Sequence, residues 1–278
     1  MVKEVDNGVY YDPDATPDRL RPLRIGAPTN FVAEPLIRGL DDQKSVSLET
    51  TPARMVPAGF EAGRYDCALL NAMDCLHHKF NRIIPGIGVC CRGRSDTDFL
   101  FLGAEPARAT RLAVDADSQG VIDLARVILA EKFDIIPAFT TVEPDSFIPE
   151  EHDGLLVSGN TTYDYGNRYA ARLDIGELWY ELTGLPLPLM MWAAQFRAPY
   201  KQLRLRLARA RQQGLADLDA IAAEVEAKHG VPDGAARTCF NECICYTLGG
   251  EELDGLRELI ALAMKHGLCE PDTSFELC

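Results

Sequence analysis

No stretch of the 278-residue chain approaches the ~20 uninterrupted apolar residues of a membrane helix. Positive charge is also scarce. Only 28 Lys and Arg stand against 42 Asp and Glu, for a formal net charge of −14. Nucleic-acid binding depends on neutralising phosphates with Lys and Arg, so that class of partner is excluded. The opening residues MVKEVDNGVYYDPDATPDRLRP carry no apolar h-region of a secretory signal, and a cytoplasmic location is expected. The nine cysteines are odd in number, include the adjacent Cys90 and Cys91, and follow no disulfide-module spacing. Reduced thiols are expected. Internal repeats and low-complexity segments are absent.

What is present is alternation. Residues 23–27 form a short apolar strand pattern, broken by Pro28-Thr29-Asn30 before a helical pattern at Phe31, Pro35, Leu36 and Leu40. Strand patterns follow at 45–50, 67–71 and 83–91, with a helix over 52–62. After the polar run Arg92-Gly93-Arg94-Ser95-Asp96 a second series begins: strands at 99–103, 112–115, 136–142 and 155–158, with one helix face carrying Val121, Leu124, Ala125, Ile128 and Leu129. A helix over 175–182 stops at Gly184, and Pro186 and Pro188 forbid its continuation into the strand pattern 187–194. Helices are then expected over 200–213, 215–229, 234–248 and 251–267, with no further strand. Such a helical tail must cover a sheet, so the chain is expected to return to its first lobe. The passages between lobes fall near 92–98 and 188–194.

The residues Arg24-Ile25-Gly26-Ala27 with Pro35-Leu36, the run GRYDCALL at 63–70, Leu155-Leu156-Val157, the run LDIGELWYELTGLPLPLMMWAAQ at 173–195 and the closing YTLGGEELDGLRELIALAMKHGL carry a resemblance. Together they resemble the menaquinone-biosynthesis family of the futalosine pathway, the chorismate dehydratases and the relatives that act on cyclic dehypoxanthine futalosine. The run at 173–195 is the most specific of them. The resemblance implies an α/β fold of the two-lobe, type II periplasmic-binding-protein kind, with two hinge crossovers and a ligand between the lobes. Residues 1–94 and 193–278 would form the first lobe and 95–192 the second. The first loop, commonly Ser-Tyr-Leu-Asn in dehydratases, is here Thr29-Asn30-Phe31-Val32, the Ser-x-Gly of the first hinge is Cys91-Arg92-Gly93, the second-lobe Ser-Arg-Thr-Ser is Ser118-Gln119-Gly120-Val121, and the Gly-Asp after the third segment is Ser158-Gly159.

Ligands of two-lobe α/β proteins lie beyond the C-terminal ends of the strands. That rule selects the loops at 28–30, 71–73, 117–120 and 158–160. Thr29, Asn30, Asn71 and Ser118 are the candidates for orienting a catalytic event. Cys91, Arg92, Gln119, Gly120, Ser158 and Asn160 are the candidates for holding substrate. The backbone N–H groups of 118–120 can take a carboxylate, or Asp117 or Ser118 simply caps the helix. Arg92 can pair bidentately with a carboxylate, while Arg94 belongs to a solvated hinge balanced by Asp96 and Asp98. Of Cys90 and Cys91 one should face the cleft and one the core. Cys239, Cys243 and Cys245 cannot converge from one helix, so no metal is expected. His77 and His78 belong on a helix surface, Trp192 touches ligand or core, and the arginine-rich 200–213 is an amphipathic helix.

The expected function is dehydration of chorismate or a similar enolpyruvyl carboxylate to an aromatic 3-enolpyruvyl benzoate, a lyase reaction without a cofactor. The partner is a small anionic substrate. With no base visible in the loops, the substrate's own enolpyruvyl carboxylate would remove the proton. The alternatives are a non-catalytic binding protein for a small acid and a related enzyme of the same pathway with another substrate.

Overall fold

The computed structural model describes residues 21–77, 82–143, 151–165 and 169–278, and the backbone of the two-residue strands β1 (Glu4–Val5) and β2 (Val9–Tyr10). Two separate main sheets organise the chain. The first holds β3 (Leu23–Pro28), β4 (Val46–Thr51), β5 (Cys67–Asn71), β6 (Arg82–Cys91) and β12 (Leu187–Ala194), in the order β6-β12-β5-β3-β4. The second holds β7 (Asp98–Leu102), β8 (Arg111–Asp115), β9 (Ala138–Val142), β10 (Gly154–Ser158) and β11 (Ala171–Asp174), in the order β11-β7-β10-β8-β9. In both, strands that alternate with helices, α1 (Glu34–Ile37), α2 (Val56–Glu61) and α3 (Ala72–His77) in the first and α4 (Ile122–Phe133) in the second, run parallel, as β4-β3-β5 and β10-β8-β9 do. The strands adjoining the passages, β12 and β7, pair antiparallel with their neighbours.

All eight residues of β12 are buried, as a strand covered on both faces requires. Pro188 is accommodated because the pairing with β6 shifts register between Pro188 and Met190. β12 is hydrogen-bonded within the first sheet over its whole length, so the second passage is the Gly184–Pro186 turn rather than the strand. We propose lobe limits that follow the sheets, with 98–183 as the second lobe.

That turn is built from its sequence. Helix α5 (Ile175–Thr183) is capped at its start by Asp174, which accepts from Glu177 N (3.0 Å), and at its end by Gly184 in the left-handed region (φ 70°). The same Asp174 carboxylate accepts from Ser95 N (2.9 Å), Asp96 N (2.8 Å) and Ser95 Oγ (3.1 Å). One buried side chain therefore ties the first passage to the helix that leads into the second.

The closing helices α6 (Tyr200–Ala216) and α9 (Gly250–Lys265) pack on β6 and β12 of the first sheet, and α7 (Leu218–His229) packs beside α6. Leu203, Leu207 and Ala210 are the buried stripe of α6. The helix expected over 234–248 is corrected. Only α8 (Ala235–Thr238) is α-helical, a π turn spans Cys239–Cys243, and β13 (Ile244–Cys245) then pairs antiparallel with β6. The i→i+5 turn displaces the chain from the α register, and β6 offers a free edge that two residues can pair. A second short strand, β14 (Glu276–Leu277), also joins β6, and β11 pairs along the β7 edge. None of these short strands has the length or alternation that sequence patterns register.

Arg21 and Arg24 converge on Asp66 at the base of β5. Arg21 Nη1 and Nη2 donate to its two oxygens at 2.9 Å, and Arg24 donates through its backbone N (2.9 Å) and Nη2 (3.0 Å). Burial alone would raise the Asp66 pKa, but these bonds hold it down to about 2. The contribution to stability is present above the unfolded carboxylate range near 3.8 and is lost as pH falls through about 2. Asp66→Asn is expected to cost about 2 kcal/mol at pH 7 and to remove the steepest part of acid unfolding below pH 4. Urea unfolding at pH 7 and pH 3 checks this, and an equal loss at both pH values would refute it.

Candidate functional site

The lobes meet over a narrow cleft. Its walls are Asn30 and Val32 of the loop after β3, Asn71 and Met73 after β5, Pro188 to Met190 of β12 and Leu259 on the first-lobe side. Thr97 at the end of the first passage and Asp98, Gly120, Val121, Leu124 and Ser158 of the second lobe face them. The cavity between them is about 10 Å³, room for a single water. Contacts across it are close. Asn160 accepts from Phe31 N (2.9 Å) and donates through Nδ2 to Thr29 O (2.8 Å), with His229 Nδ1 at 3.2 Å from the same nitrogen. Arg54 pairs with Asp117 at 2.6 Å. A Cβ at Gly120 would overlap Asn71 Nδ2, and one at Gly159 (φ +77°) would stand 2.6 Å from Asn30 Nδ2. Glycine at 120 and 159 is what lets the lobes approach.

Each sequence candidate has a definite place. Asn30, Asn71, Gly120 and Ser158 line the cleft. Thr29 and Asn160 meet at its edge. Ser118 lies buried behind the wall, its Oγ accepting from Ser158 N at 2.7 Å. The short helical segment Ala116–Val121 is capped by Asp115, which accepts from Asp117 N, so neither Asp117 nor Ser118 is the cap. Three residues expected to bind substrate do not line this cleft. Gln119 is exposed and donates to Thr141 Oγ1 (3.3 Å). Arg92 is exposed and pairs with Glu251, whose position at the start of α9 draws it outward. Cys91 is buried against Gly176 and Cys90 is buried as well, and neither is among the residues that line the cleft. Both strand faces at that end of β6 are covered, which the alternation rule alone could not reveal.

Arg94 pairs with Asp96 (2.6 Å), as a hinge charge balance requires. Cys239 donates to Ser95 O (3.6 Å) and Cys243 to Asp96 Oδ2 (3.3 Å), so these thiols pack against the first passage. Among the described residues no three His, Cys, Asp or Glu side chains are grouped to hold a metal ion. His77 is exposed, 3.3 Å from Leu268 O and outside the cleft, and Trp192 is wholly core. His78 lies outside the described residues.

Asp98 is the residue that the sequence reading missed. It is not a solvated balance for Arg94. It is 3% exposed, opens β7 directly opposite Ser158 of β10, and faces the cleft. Ser158 Oγ donates to its Oδ1 and Thr97 Oγ1 to its Oδ2 (3.1 Å). Burial, with Asp174 adding repulsion, raises its pKa to about 6 against the pull of those two hydroxyls. Asp74, beside Asn71 (3.4 Å), is likewise raised by burial to about 6. No Lys, Arg or His is among the described residues that line the cleft. The period-2 position of Asp98 beside Phe99-Leu100 was the available signal, since an acid opening an otherwise apolar strand has to be solvated or used.

A two-lobe α/β molecule with two passages and a cleft between its sheets is of the periplasmic-binding-protein fold, and solved structures agree. Protein AF1704 from Archaeoglobus fulgidus superposes with a TM-score of 0.70 at 18% identity, over 88% of this chain and 98% of that one. The alkanesulfonate-binding protein SsuA from Xanthomonas axonopodis pv. citri, bound to MOPS, gives 0.64 at 14% identity over 89% and 94%. The Candida albicans CA3427 gene product, described as having the generic periplasmic binding protein fold, gives 0.60 at 10% over 93% and 99%. The chain belongs to the menaquinone biosynthesis family, which matches residues 23–265.

Proposed function

We propose that the protein is a carbon–oxygen lyase of this family, removing water from chorismate or a similar enolpyruvyl carboxylate to give an aromatic 3-enolpyruvyl benzoate. The observation that carries the reading is a buried carboxyl, Asp98, that lines an interlobe cleft together with Asn30 and Asn71 in a chain of the menaquinone biosynthesis family. Aromaticity of the product supplies much of the driving force, and orientation in a water-poor cleft would lower the barrier. The lobes must part to admit a ligand and close over it, since the closed cavity holds about one water. A pathway step of this kind suits a cytoplasmic protein, and no described helix is long and apolar enough to cross a membrane.

A second reading keeps the pathway and changes the substrate. It is favoured by the lack of any Lys, Arg or His among the described cleft residues, which leaves only amides and hydroxyls to meet two carboxylates. Incubation with chorismate separates the two, followed by ultraviolet absorbance for the aromatic product and by mass for the loss of water. Chorismate recovered intact at saturating concentration rejects the dehydratase.

A further inference from the structure

Buried carboxylates in this protein fall into two kinds. Asp66 is held by two arginines, and Asp174 by three backbone N–H groups and a hydroxyl. Asp98 has only hydroxyl partners, Ser158 Oγ and Thr97 Oγ1. A hydroxyl turns to donate or accept as needed. The carboxylate form accepts from both, while the acid form donates to one and accepts from the other, so Asp98 is satisfied in either state without moving. The charged and titratable groups facing it are Asp174 at the start of α5, Cys91 of β6 and Cys239 of the π turn. Both thiols are pushed up by burial and are neutral. Among the described residues no cation is bonded to it.

We propose that Asp98 is the acid–base catalytic residue of the cleft, taking a ring proton from the substrate and returning it to the departing hydroxyl. The inference rests on the dehydratase reading. The Asp98 carboxylate removes the ring hydrogen beside the enolpyruvyl ether, and that C–H pair becomes the third ring double bond. The adjacent C–O bond breaks with its electrons going to oxygen, which takes the proton from the Asp98 carboxylic acid and leaves as water. Asp98 begins and ends as a carboxylate, so atoms and charge balance without a co-reactant. One carboxyl can serve both positions only if hydrogen and hydroxyl share a face of the ring. In chorismate they do, because the ether and hydroxyl oxygens are trans. The substrate's own carboxylate is then not required as the base.

The test compares wild type, Asp98→Asn and Asp98→Glu with chorismate. Asp98→Asn is isosteric and is expected to lower kcat by at least ~100-fold with KM within about threefold. Wild-type kcat/KM is expected to rise with pH through an inflection near the about 6 that burial gives Asp98, and the Asn variant to lose that limb. Asp98→Glu restores part of the rate. If Asp98→Asn stays within tenfold of wild type, or keeps the inflection, the role of Asp98 is overturned while the dehydratase reading stands. If the wild type itself makes no aromatic product, both are overturned.

Discussion

At pH 8 the Asp98→Asn protein is expected to be more stable than the wild type by about 3 kcal/mol. The folded state raises the Asp98 pKa from 3.8 to about 6, so it holds a proton that the unfolded chain releases. This favours folding most below pH 3.8 and is lost as pH rises through about 6. Above that, the wild type buries an anion with no cation bonded to it among the described residues, at a cost that asparagine avoids. The amide still finds partners, because Ser158 and Thr97 can donate to its oxygen or accept from its nitrogen. Urea midpoints at pH 4 and pH 8 measure the effect. The two proteins should differ little at pH 4 and diverge by pH 8, and a constant offset would mean that the raised pKa is not the cause. Asp74, also raised to about 6, leaves a residual slope in both proteins. A substitution that stabilises the fold while removing the proposed chemistry is the usual trade at a functional site.

Gly255→Ala is expected to act in the opposite direction, costing about 3 kcal/mol. Helix α9 crosses the second passage so closely that a Cβ at 255 would overlap the Pro186 carbonyl oxygen, with Pro188 Cδ 3.6 Å away. The obstacle is backbone in a turn already fixed by Gly184 and two prolines, so it cannot rotate aside as a side chain would. The helix must lift from the start of β12, opening packing around Leu256 and Leu259, both fully buried. Gly250 of the same helix is the control, since nothing lies within 4 Å of a Cβ there. Gly250→Ala should change stability by no more than about 1 kcal/mol. Thermal unfolding of both variants decides the matter, and equal melting temperatures would remove the claim that this crossing is tight.

The interlobe cleft was legible because its framework is local. The strands at 23–28, 67–71 and 187–194 announce themselves as short apolar runs, and Gly184 with Pro186 and Pro188 can only end one element and begin another. The loops that carry Asn30, Asn71 and Ser158 follow from the rule that ligands sit beyond strand ends. Arg92 and Gln119 lie outside the closed cleft because their orientation depends on distant partners, Glu251 on α9 and Thr141 on β9. Spacing along the chain holds no information about such pairs.

Asp98 marks the same boundary from the other side. The sequence places an acid beside Arg94, and local charge balance would pair them, yet Arg94 takes Asp96 and leaves Asp98 to the cleft. The sequence by itself determined the alternation of strands and helices and the break at Gly184, Pro186 and Pro188, because hydrophobic period and proline geometry act over a few residues. Only the tertiary structure decided which carboxyl is solvated, which is bound by arginine and which is buried between hydroxyls. Desolvation depends on what the rest of the chain packs over a group, and that is settled when the two lobes close.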